Sequence, residues 1–141
     1  GTDADAAAEA YANLLAAYAP AGQPTPEFDI LLLGMGGEGH VASIFPESPA
    51  AVDTRTVVAV RHCPKPPPTR LSFTFPTLQR AREVWIVTAG AAKADAVSLV
   101  AAGAGPVQVP AAGARGTRRT LFLIDREAAA GLPADQRTRP V

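Results

Sequence analysis

Three apolar runs dominate the pattern of hydrophobic and polar positions along the chain. They cover residues 28–33, 84–88 and 120–124, and each is short and rich in Leu, Ile or Val. Continuous apolar runs of this length are typical of parallel strands that are buried on both faces. Stretches with helical periodicity or alanine-rich composition, residues 2–18 and 91–102, precede or separate these runs. Strands that alternate with helices predict an α/β fold, with an open, mostly parallel sheet and helices on both faces.

Smaller elements are predicted between and after the apolar runs. Residues 57–60 form a short apolar strand, and residues 70–75 alternate in polarity, as expected of a half-buried strand that is antiparallel or at an edge. The apolar members of this alternation are Leu71, Phe73 and Phe75. A helical turn that starts with proline is expected at residues 76–81, and a terminal helix at residues 125–130. All these elements fit a single domain over residues 1–141.

The first predicted helix has a recognisable start and a clear apolar stripe. Thr2, with Asp5 three residues later, fits a capping box. The stripe has the i, i+3, i+4, i+7 spacing of a core-facing helix and consists of Tyr11, Leu14, Leu15 and Tyr18. We therefore expect this helix to pack its stripe into the core.

Composition and charge narrow the classes of function. The chain has 141 residues, of which 48% are hydrophobic, enough for one small domain with its own core. Thirteen basic and thirteen acidic residues cancel, so electrostatics give no support for a nucleic-acid partner or an anionic membrane surface. The single cysteine, Cys63, cannot form a disulfide framework or a cysteine metal cluster, and no apolar run reaches membrane-spanning length. We expect a cytoplasmic protein without a metal or a cofactor.

A glycine-rich stretch that ends in a histidine follows the first apolar run. Gly34, Gly36, Gly37 and Gly39 fall within six positions, and His40 comes next. A strand, a glycine loop and the start of a helix together collect backbone N–H groups that can bind an anion. Open α/β sheets also place their ligands at the carboxyl ends of parallel strands, where an imidazole can exchange protons near neutral pH. From the residues alone, His40 at the start of a short helix can equally be catalytic or structural.

The same glycines match a second pattern. Gly34, Gly36 and Gly39 have the G-x-G-x-x-G spacing of a dinucleotide-binding loop between a strand and a helix. Pro46, however, stops the following helix too early for a crossover helix. In addition, no acidic residue ends a second strand about twenty residues further on, as dinucleotide binding requires. Both observations disfavour a dinucleotide site.

The stretch from Gly34 to Pro46, G-M-G-G-E-G-H-V-A-S-I-F-P, resembles the histidine loop of the 6-phosphogluconolactonases. The usual form of that loop is G-M-G-x-D-G-H-x-A-S-L-F-P, so this chain departs from it at Glu38, which replaces Asp, and at Ile44. The resemblance covers essentially the whole chain, as the C-terminal part of a longer lactonase domain. It implies that the N-terminal portion of the family domain is a partner of this chain.

The resemblance implies hydrolysis of 6-phospho-D-glucono-1,5-lactone to 6-phosphogluconate, a step of the pentose phosphate pathway, without a metal or a cofactor. His40 would be the general base that activates water, and Glu38 would orient it or contact sugar hydroxyls. Backbone N–H groups of Gly36, Gly37 and Gly39 would bind the substrate and its developing oxyanion.

Three basic residues are candidates for binding the 6-phosphate. Arg70 follows a proline run that aims its guanidinium, which can bind phosphate bidentately, and K-P-P-P-T-R-L-S-F-T resembles the lactonases' K-P-P-x-R segment. Lys93 begins a predicted helix within T-x-G-x-x-K-A, which is similar to a sugar-phosphate-binding segment of lactonases and glucosamine-6-phosphate deaminases. Lys65 is a weaker candidate.

Two other functions stay open. Amino-sugar-phosphate deaminases, which also isomerise their substrate, continue their histidine loop with I-A-F-N-E-P, and this chain lacks the Asn-Glu pair after His40, which disfavours that chemistry. A non-catalytic module that binds sugar phosphates is the third hypothesis. An assay of lactone hydrolysis, corrected for spontaneous opening, separates the three.

Overall fold

The computed structural model describes residues 3–137. Its strands are β1 (Ile30–Leu33), β2 (Val57–Val60), β3 (Arg70–Phe73), β4 (Glu83–Thr88) and β5 (Arg119–Ile124). Its α-helices are α1 (Ala4–Ala17), α2 (Phe75–Leu78), α3 (Ala94–Ala101) and α4 (Ala134–Arg137). Short 3₁₀ helices lie in the connections, at Pro49–Val52, Ala91–Lys93 and Pro110–Gly113. None of the helices described is long and apolar enough to cross a membrane.

The three apolar runs of the sequence form one parallel sheet in the order β1-β4-β5. In the register, Leu31 lies beside Val84, and Val84 beside Thr120. Strand β4 is central, and its Val84 and Ile86 are fully buried, which explains the apolar run in this segment. The predicted α/β fold with an open, mostly parallel sheet is confirmed.

Strands β2 and β3 form a separate antiparallel pair, in which Val58 lies opposite Ser72. This confirms the predicted antiparallel or edge position of β3, but the predicted buried face of residues 70–75 is wrong at Leu71, Ser72 and Thr74. Ser72 is only 5% exposed, whereas Leu71 is 39% exposed. The burial of Ser72 is tolerated because its hydroxyl accepts a hydrogen bond from the Ser43 N–H at 3.0 Å and donates to the Phe73 carbonyl at 2.8 Å.

Helix α1 packs against β2 and β3, but it does not bury its whole apolar stripe. Tyr11 stacks on Phe73, with ring centroids 5.7 Å apart, and Leu15 is half-buried. Tyr11 is nevertheless 40% exposed, and Leu14 and Tyr18 are more exposed still, so the expected core-facing stripe is wrong for these three side chains in the described part of the chain. The structure therefore leaves a band of apolar surface along α1.

Two helix ends differ from the predictions. The first helix is capped by Asp3, whose carboxylate accepts a hydrogen bond from the Asp5 N–H at 3.0 Å, while the predicted cap, Thr2, lies outside the described residues. The helix predicted over residues 91–102 begins as the 3₁₀ helix Ala91–Lys93 and continues as α3. Both differences concern the first turn, where side-chain caps and 3₁₀ bonds replace the regular helical pattern.

The terminal helix predicted at residues 125–130 is wrong. This segment forms a series of turns, and a helix, α4, appears only later. Asp125 starts a helical turn, since its carboxylate accepts a hydrogen bond from the Ala128 N–H at 2.8 Å and its carbonyl accepts one from the Ala129 N–H at 3.0 Å. The helix does not continue, because the next bonds, from the Ala130 and Leu132 N–H groups, each reach back only three residues. The Asp125 carboxylate also accepts from the Gly90 N–H at 3.0 Å. Asp125 therefore ties the end of β5 to the end of β4.

The hydrophobic core joins the parallel sheet to the loop after β1 and to the connection before β5. Its largest fully buried apolar side chains are Ile44, Leu78, Ile86, Val41, Val58, Val84, Val109 and Pro110. Burying an aliphatic side chain of this size contributes about 1.5–3 kcal/mol. Val41 and Ile44 stand immediately after His40, so the core anchors the end of the histidine loop.

Candidate active site

The loop after β1 is closed by its own backbone. The Gly39 N–H donates to the Gly36 carbonyl at 2.9 Å, and the Gly36 N–H donates to the His40 carbonyl at 3.0 Å. Gly39 has a φ of +87°, in the left-handed region, and a Cβ there would lie 2.5 Å from a methyl carbon of Val109. Glycine is therefore required at position 39 by both the backbone conformation and the packing.

No helix follows His40, which corrects the expectation of a helix start. Residues 41–44 form a tight turn, in which the Ile44 N–H donates to the Val41 carbonyl at 2.9 Å and Ala42 has a φ of +49°. A left-handed residue interrupts the right-handed helical path. No helix dipole therefore acts on the imidazole, and the dinucleotide interpretation loses the helix N-terminus that it needs.

The imidazole of His40 is held by three neighbours. Its Nδ1 donates to the Glu38 carboxylate. Its ring packs against Phe45, with centroids 4.4 Å apart, and a Cβ on Gly36 would lie 2.1 Å from Nδ1, so any side chain at position 36 would displace the ring. Because the carboxylate places the proton on Nδ1, Nε2 carries the lone pair and can accept a proton.

The Glu38 carboxylate bridges His40 and Lys65. One oxygen accepts from the imidazole, and the other accepts from Lys65 Nζ at 3.0 Å. Partial burial raises the pKa of this carboxyl, but hydrogen bonds from its own backbone N–H, from His40 and from Lys65 outweigh burial and lower the pKa to about 2. Glu38 is therefore ionised at neutral pH and can stabilise an imidazolium at His40.

A cleft of about 440 Å³ opens beside the histidine loop. Its lining includes Gly34, Gly36, His40, Lys65 and Lys93. The Lys93 ammonium donates to the Met35 carbonyl at 2.6 Å, so it is held against the loop with one of its three donors engaged. The structure thus brings two of the three predicted phosphate ligands to the same cleft as the predicted base.

The glycine amides are not equally placed to bind a substrate. The N–H groups of Gly36 and Gly39 are engaged within the loop, which differs from the expectation that they bind the ligand. The Gly37 N–H donates to no acceptor within residues 3–137. Of the three predicted amide donors, Gly37 is therefore the one that the loop leaves without an acceptor within residues 3–137, but it is not among the residues that line the cleft.

Arg70 is the predicted ligand that the structure does not bring to the cleft. Its Nε donates to the Pro67 carbonyl at 2.9 Å, and its Nη2 donates to the carbonyls of Lys65 at 2.9 Å and Pro66 at 3.1 Å. Its guanidinium carbon lies 5.3 Å from the centre of the Phe45 ring. The guanidinium holds the proline loop, because three carbonyl oxygens of that loop converge on it.

Two features of the site were missed at the level of sequence. Phe45 packs on the imidazole, and the Met35 carbonyl fixes Lys93. The aromatic residue could have been found from its position within the histidine motif, but the carbonyl contact joins residues 58 positions apart and leaves no local signal. Within the described part, no three His, Cys, Asp or Glu side chains come together as a metal site.

Comparisons with known proteins show the family of this chain. The family described as glucosamine-6-phosphate isomerases/6-phosphogluconolactonase matches residues 1–123. The chain is 58% identical over 135 residues to a 6-phosphogluconolactonase of Mycobacterium tuberculosis, covering 95% of this chain and 55% of that protein. It is 54% identical over 136 residues to a 6-phosphogluconolactonase of Streptomyces coelicolor, covering 94% of this chain and 52% of that protein.

A solved structure gives the same result for the fold. The structure of the 6-phosphogluconolactonase from Trypanosoma brucei matches with a TM-score of 0.77 at 34% identity, over 94% of this chain and 56% of that one. The chain thus spans about half the length of the relatives that it matches. The match of the family over residues 1–123, with relatives more than half identical over nearly all of the chain, shows that this chain belongs to the glucosamine-6-phosphate isomerase/6-phosphogluconolactonase family.

Proposed function

We propose that the protein hydrolyses 6-phospho-D-glucono-1,5-lactone to 6-phosphogluconate. The observation that carries this proposal is the paired His40 and Glu38 at a cleft that also holds two lysine ammonium groups. An ionised carboxylate on Nδ1 makes Nε2 a general base, and the ammonium groups suit an anionic substrate. The names of the relatives support the same reaction.

The arrangement provides the proton transfers that hydrolysis of a lactone needs. His40 Nε2 takes a proton from water as the water oxygen attacks the lactone carbonyl, and Glu38 stabilises the imidazolium that results. When the bond between the carbonyl carbon and the ring oxygen breaks, the imidazolium returns its proton to that oxygen. The products are a carboxylic acid, which releases its proton to bulk water, and a hydroxyl, and His40 is neutral again.

The phosphate of the substrate is proposed to bind at Lys93, since the Lys65 ammonium is engaged by Glu38 at 3.0 Å. Lys93 is fixed by the Met35 carbonyl, which reduces the entropy lost when its ammonium meets an anion. A hydrogen bond to a charged group contributes about 1.5–3 kcal/mol. Lys93 should therefore set the preference for a phosphorylated lactone.

Replacing Lys93 with methionine should raise KM for the phosphorylated lactone by about 10- to 150-fold, which corresponds to the loss of one such bond. Turnover of glucono-1,5-lactone, which has no phosphate, should change little. The measurement is lactone hydrolysis by wild type and Lys93→Met on both substrates, with spontaneous opening subtracted and melting temperatures compared.

Lys93→Arg, which keeps the charge, is the matched control and should lose less affinity. An unchanged KM in Lys93→Met would show that Lys93 does not bind the phosphate. The wild-type arm of the assay tests the function itself. Deamination of glucosamine 6-phosphate, or binding of 6-phosphogluconate without hydrolysis, in place of lactone turnover would contradict the proposed reaction.

We also propose that β1 pairs with a further segment of the polypeptide in the intact protein. Within residues 3–137, β1 pairs only with β4, and it exposes Ile30 and Leu32. An open strand edge with apolar side chains is a site at which another strand can add. Because the relatives are nearly twice as long as this chain, their additional residues are the proposed occupant.

Introducing a charge at Ile30 tests this pairing. If a segment covers β1, Ile30→Lys should destabilise the intact protein by about 2 kcal/mol or more, because a charge would replace a buried aliphatic group. The control is Val52→Lys, at a side chain that is 73% exposed compared with 48% for Ile30, and it should stay within about 0.5 kcal/mol. Equal, small changes in chemical denaturation for both variants would show that β1 is bare.

A further inference from the structure

Arg70 and Lys65 are joined through the backbone of the proline-rich loop. This loop contains Pro64, Pro66, Pro67 and Pro68 on both sides of Lys65. Arg70 donates to the carbonyls of residues 65, 66 and 67, all within 3.1 Å. Its planar guanidinium therefore fixes the backbone from which the Lys65 side chain extends.

Lys65 in turn reaches the proposed base through Glu38. Its ammonium donates to one carboxylate oxygen at 3.0 Å, and the imidazole of His40 donates to the other. The Lys65 side chain is half exposed, and exposed ion pairs of long side chains are easily lost to rotamer entropy. Fixing the backbone at residue 65 reduces that loss.

We infer that Arg70 is a positioning residue for catalysis, which holds Lys65 against Glu38 and thereby sets the charge that His40 experiences. It does not bind the phosphate. This inference rests on the proposed function in so far as it takes His40 to be the base. Arg70 also lies over one side of the Phe45 ring, and Phe45 packs on the imidazole. The guanidinium therefore supports His40 and Glu38 both through Lys65 and through Phe45.

The series of contacts from Arg70 through Lys65 to Glu38, called the relay below, acts on His40 through the charges around the imidazole. Glu38 faces it from the same loop, Lys65 from the proline loop and Lys93 from the turn before α3, while Arg70 lies behind Phe45. The Lys65 ammonium offsets part of the negative charge that Glu38 presents to the imidazole. Removal of Lys65 should therefore let His40 hold its proton to higher pH.

The test is an NMR titration of the imidazole resonances in the intact protein, with no substrate present. We compare wild type, Lys65→Met, Arg70→Met and the double variant, and we assign His40 by its disappearance in His40→Gln. The His40 midpoint should rise by about 0.2–0.7 pH unit in Lys65→Met, as expected for the loss of a partly exposed ion pair. Arg70→Met should shift it in the same direction, and the double variant should match Lys65→Met alone.

His62, the other histidine of this chain, is exposed and does not line the cleft, so its midpoint should stay constant. Additive shifts in the double variant, or no shift in Arg70→Met, would overturn the relay. If Arg70→Met does not fold, Arg70→Lys gives the same comparison, since an ammonium cannot donate to three carbonyls with the geometry of a guanidinium.

Steady-state kinetics separate this inference from direct phosphate binding. Arg70→Met should lower kcat at acidic pH and leave KM for the phosphorylated lactone nearly unchanged, whereas a lost phosphate ligand would raise KM at every pH. If Arg70→Met raised KM equally in wild type and in the Lys65→Met background, the inference would be contradicted. Absence of lactone hydrolysis in wild type would refute the proposed function, while the titration would still decide the relay.

Discussion

Replacing His40 with asparagine is expected to lower kcat for lactone hydrolysis by about 10²–10⁴-fold, the contribution of a positioned general base. Asparagine is similar in size and can still donate to Glu38, but it cannot accept a proton from water. The Lys93 ammonium remains in place, so KM should change little. The measurement is kcat and KM at neutral pH, with spontaneous opening of the lactone subtracted.

The control for this variant is His62→Asn. His62 is exposed and lies outside the cleft, so its replacement should leave both kcat and the melting temperature unchanged. A His40→Asn protein that keeps kcat within a few-fold of wild type would show that the water is activated by another group.

Replacing Glu38 with glutamine is expected to lower kcat by about 10²–10⁴-fold, comparable to the loss when an amide replaces the orienting carboxylate of a catalytic triad. Glutamine keeps the shape of the side chain, but it no longer dictates which imidazole nitrogen carries the proton, and it cannot stabilise the imidazolium. It also removes the anion that holds Lys65. Glu47→Gln, at an exposed acid shortly after the histidine loop, is the control and should behave as wild type.

The Glu38→Gln variant should also differ from wild type in how its stability depends on pH. Because the pKa of Glu38 is lowered to about 2, folding favours the carboxylate. The stabilisation is fully present above the ordinary carboxyl pKa of 4.5 and is lost as pH falls from there towards 2. Wild type should thus be more stable than Glu38→Gln at neutral pH, and the difference in melting temperature should shrink below about pH 4. A constant difference down to acidic pH would show that Glu38 is not held as an anion.

The central strands could be predicted because their signal is local. The run at residues 84–88 is apolar since β4 lies between β1 and β5, and Val84 and Ile86 are fully buried. His40 and Glu38 could be paired from the sequence for a similar reason, because two residues apart in a tight loop can share one hydrogen bond.

The errors in the fold come from contacts that a sequence does not display. Val41 and Ile44, three residues apart and fully buried, have the spacing of one face of a helix, but Ala42 between them adopts a left-handed conformation that no residue pattern indicates. Ser72 is buried because the distant Ser43 N–H binds its hydroxyl. At Ser72 a tertiary contact therefore overrides the local pattern.

The role of Arg70 in the site could not be predicted from the sequence. Its position after a proline run correctly indicated an aimed side chain, but not the target. The guanidinium satisfies three carbonyls of that same run, and its effect reaches the cleft only through Lys65, whose partner Glu38 lies 27 positions earlier. Residue type and spacing identified the participants, and only the folded geometry separates a ligand from a residue that positions one.

The pH dependence of kcat shows whether His40 takes the proton from water. The measurement is kcat of the intact wild-type protein and of His40→Asn between about pH 5 and pH 9, corrected for spontaneous opening at each pH. For wild type, kcat should fall tenfold per pH unit on the acidic side, where a single base becomes protonated. The His40→Asn profile should be low and should lack this ionisation. If both proteins show the same acidic limb, the base is another group, and the assignment of His40 is wrong.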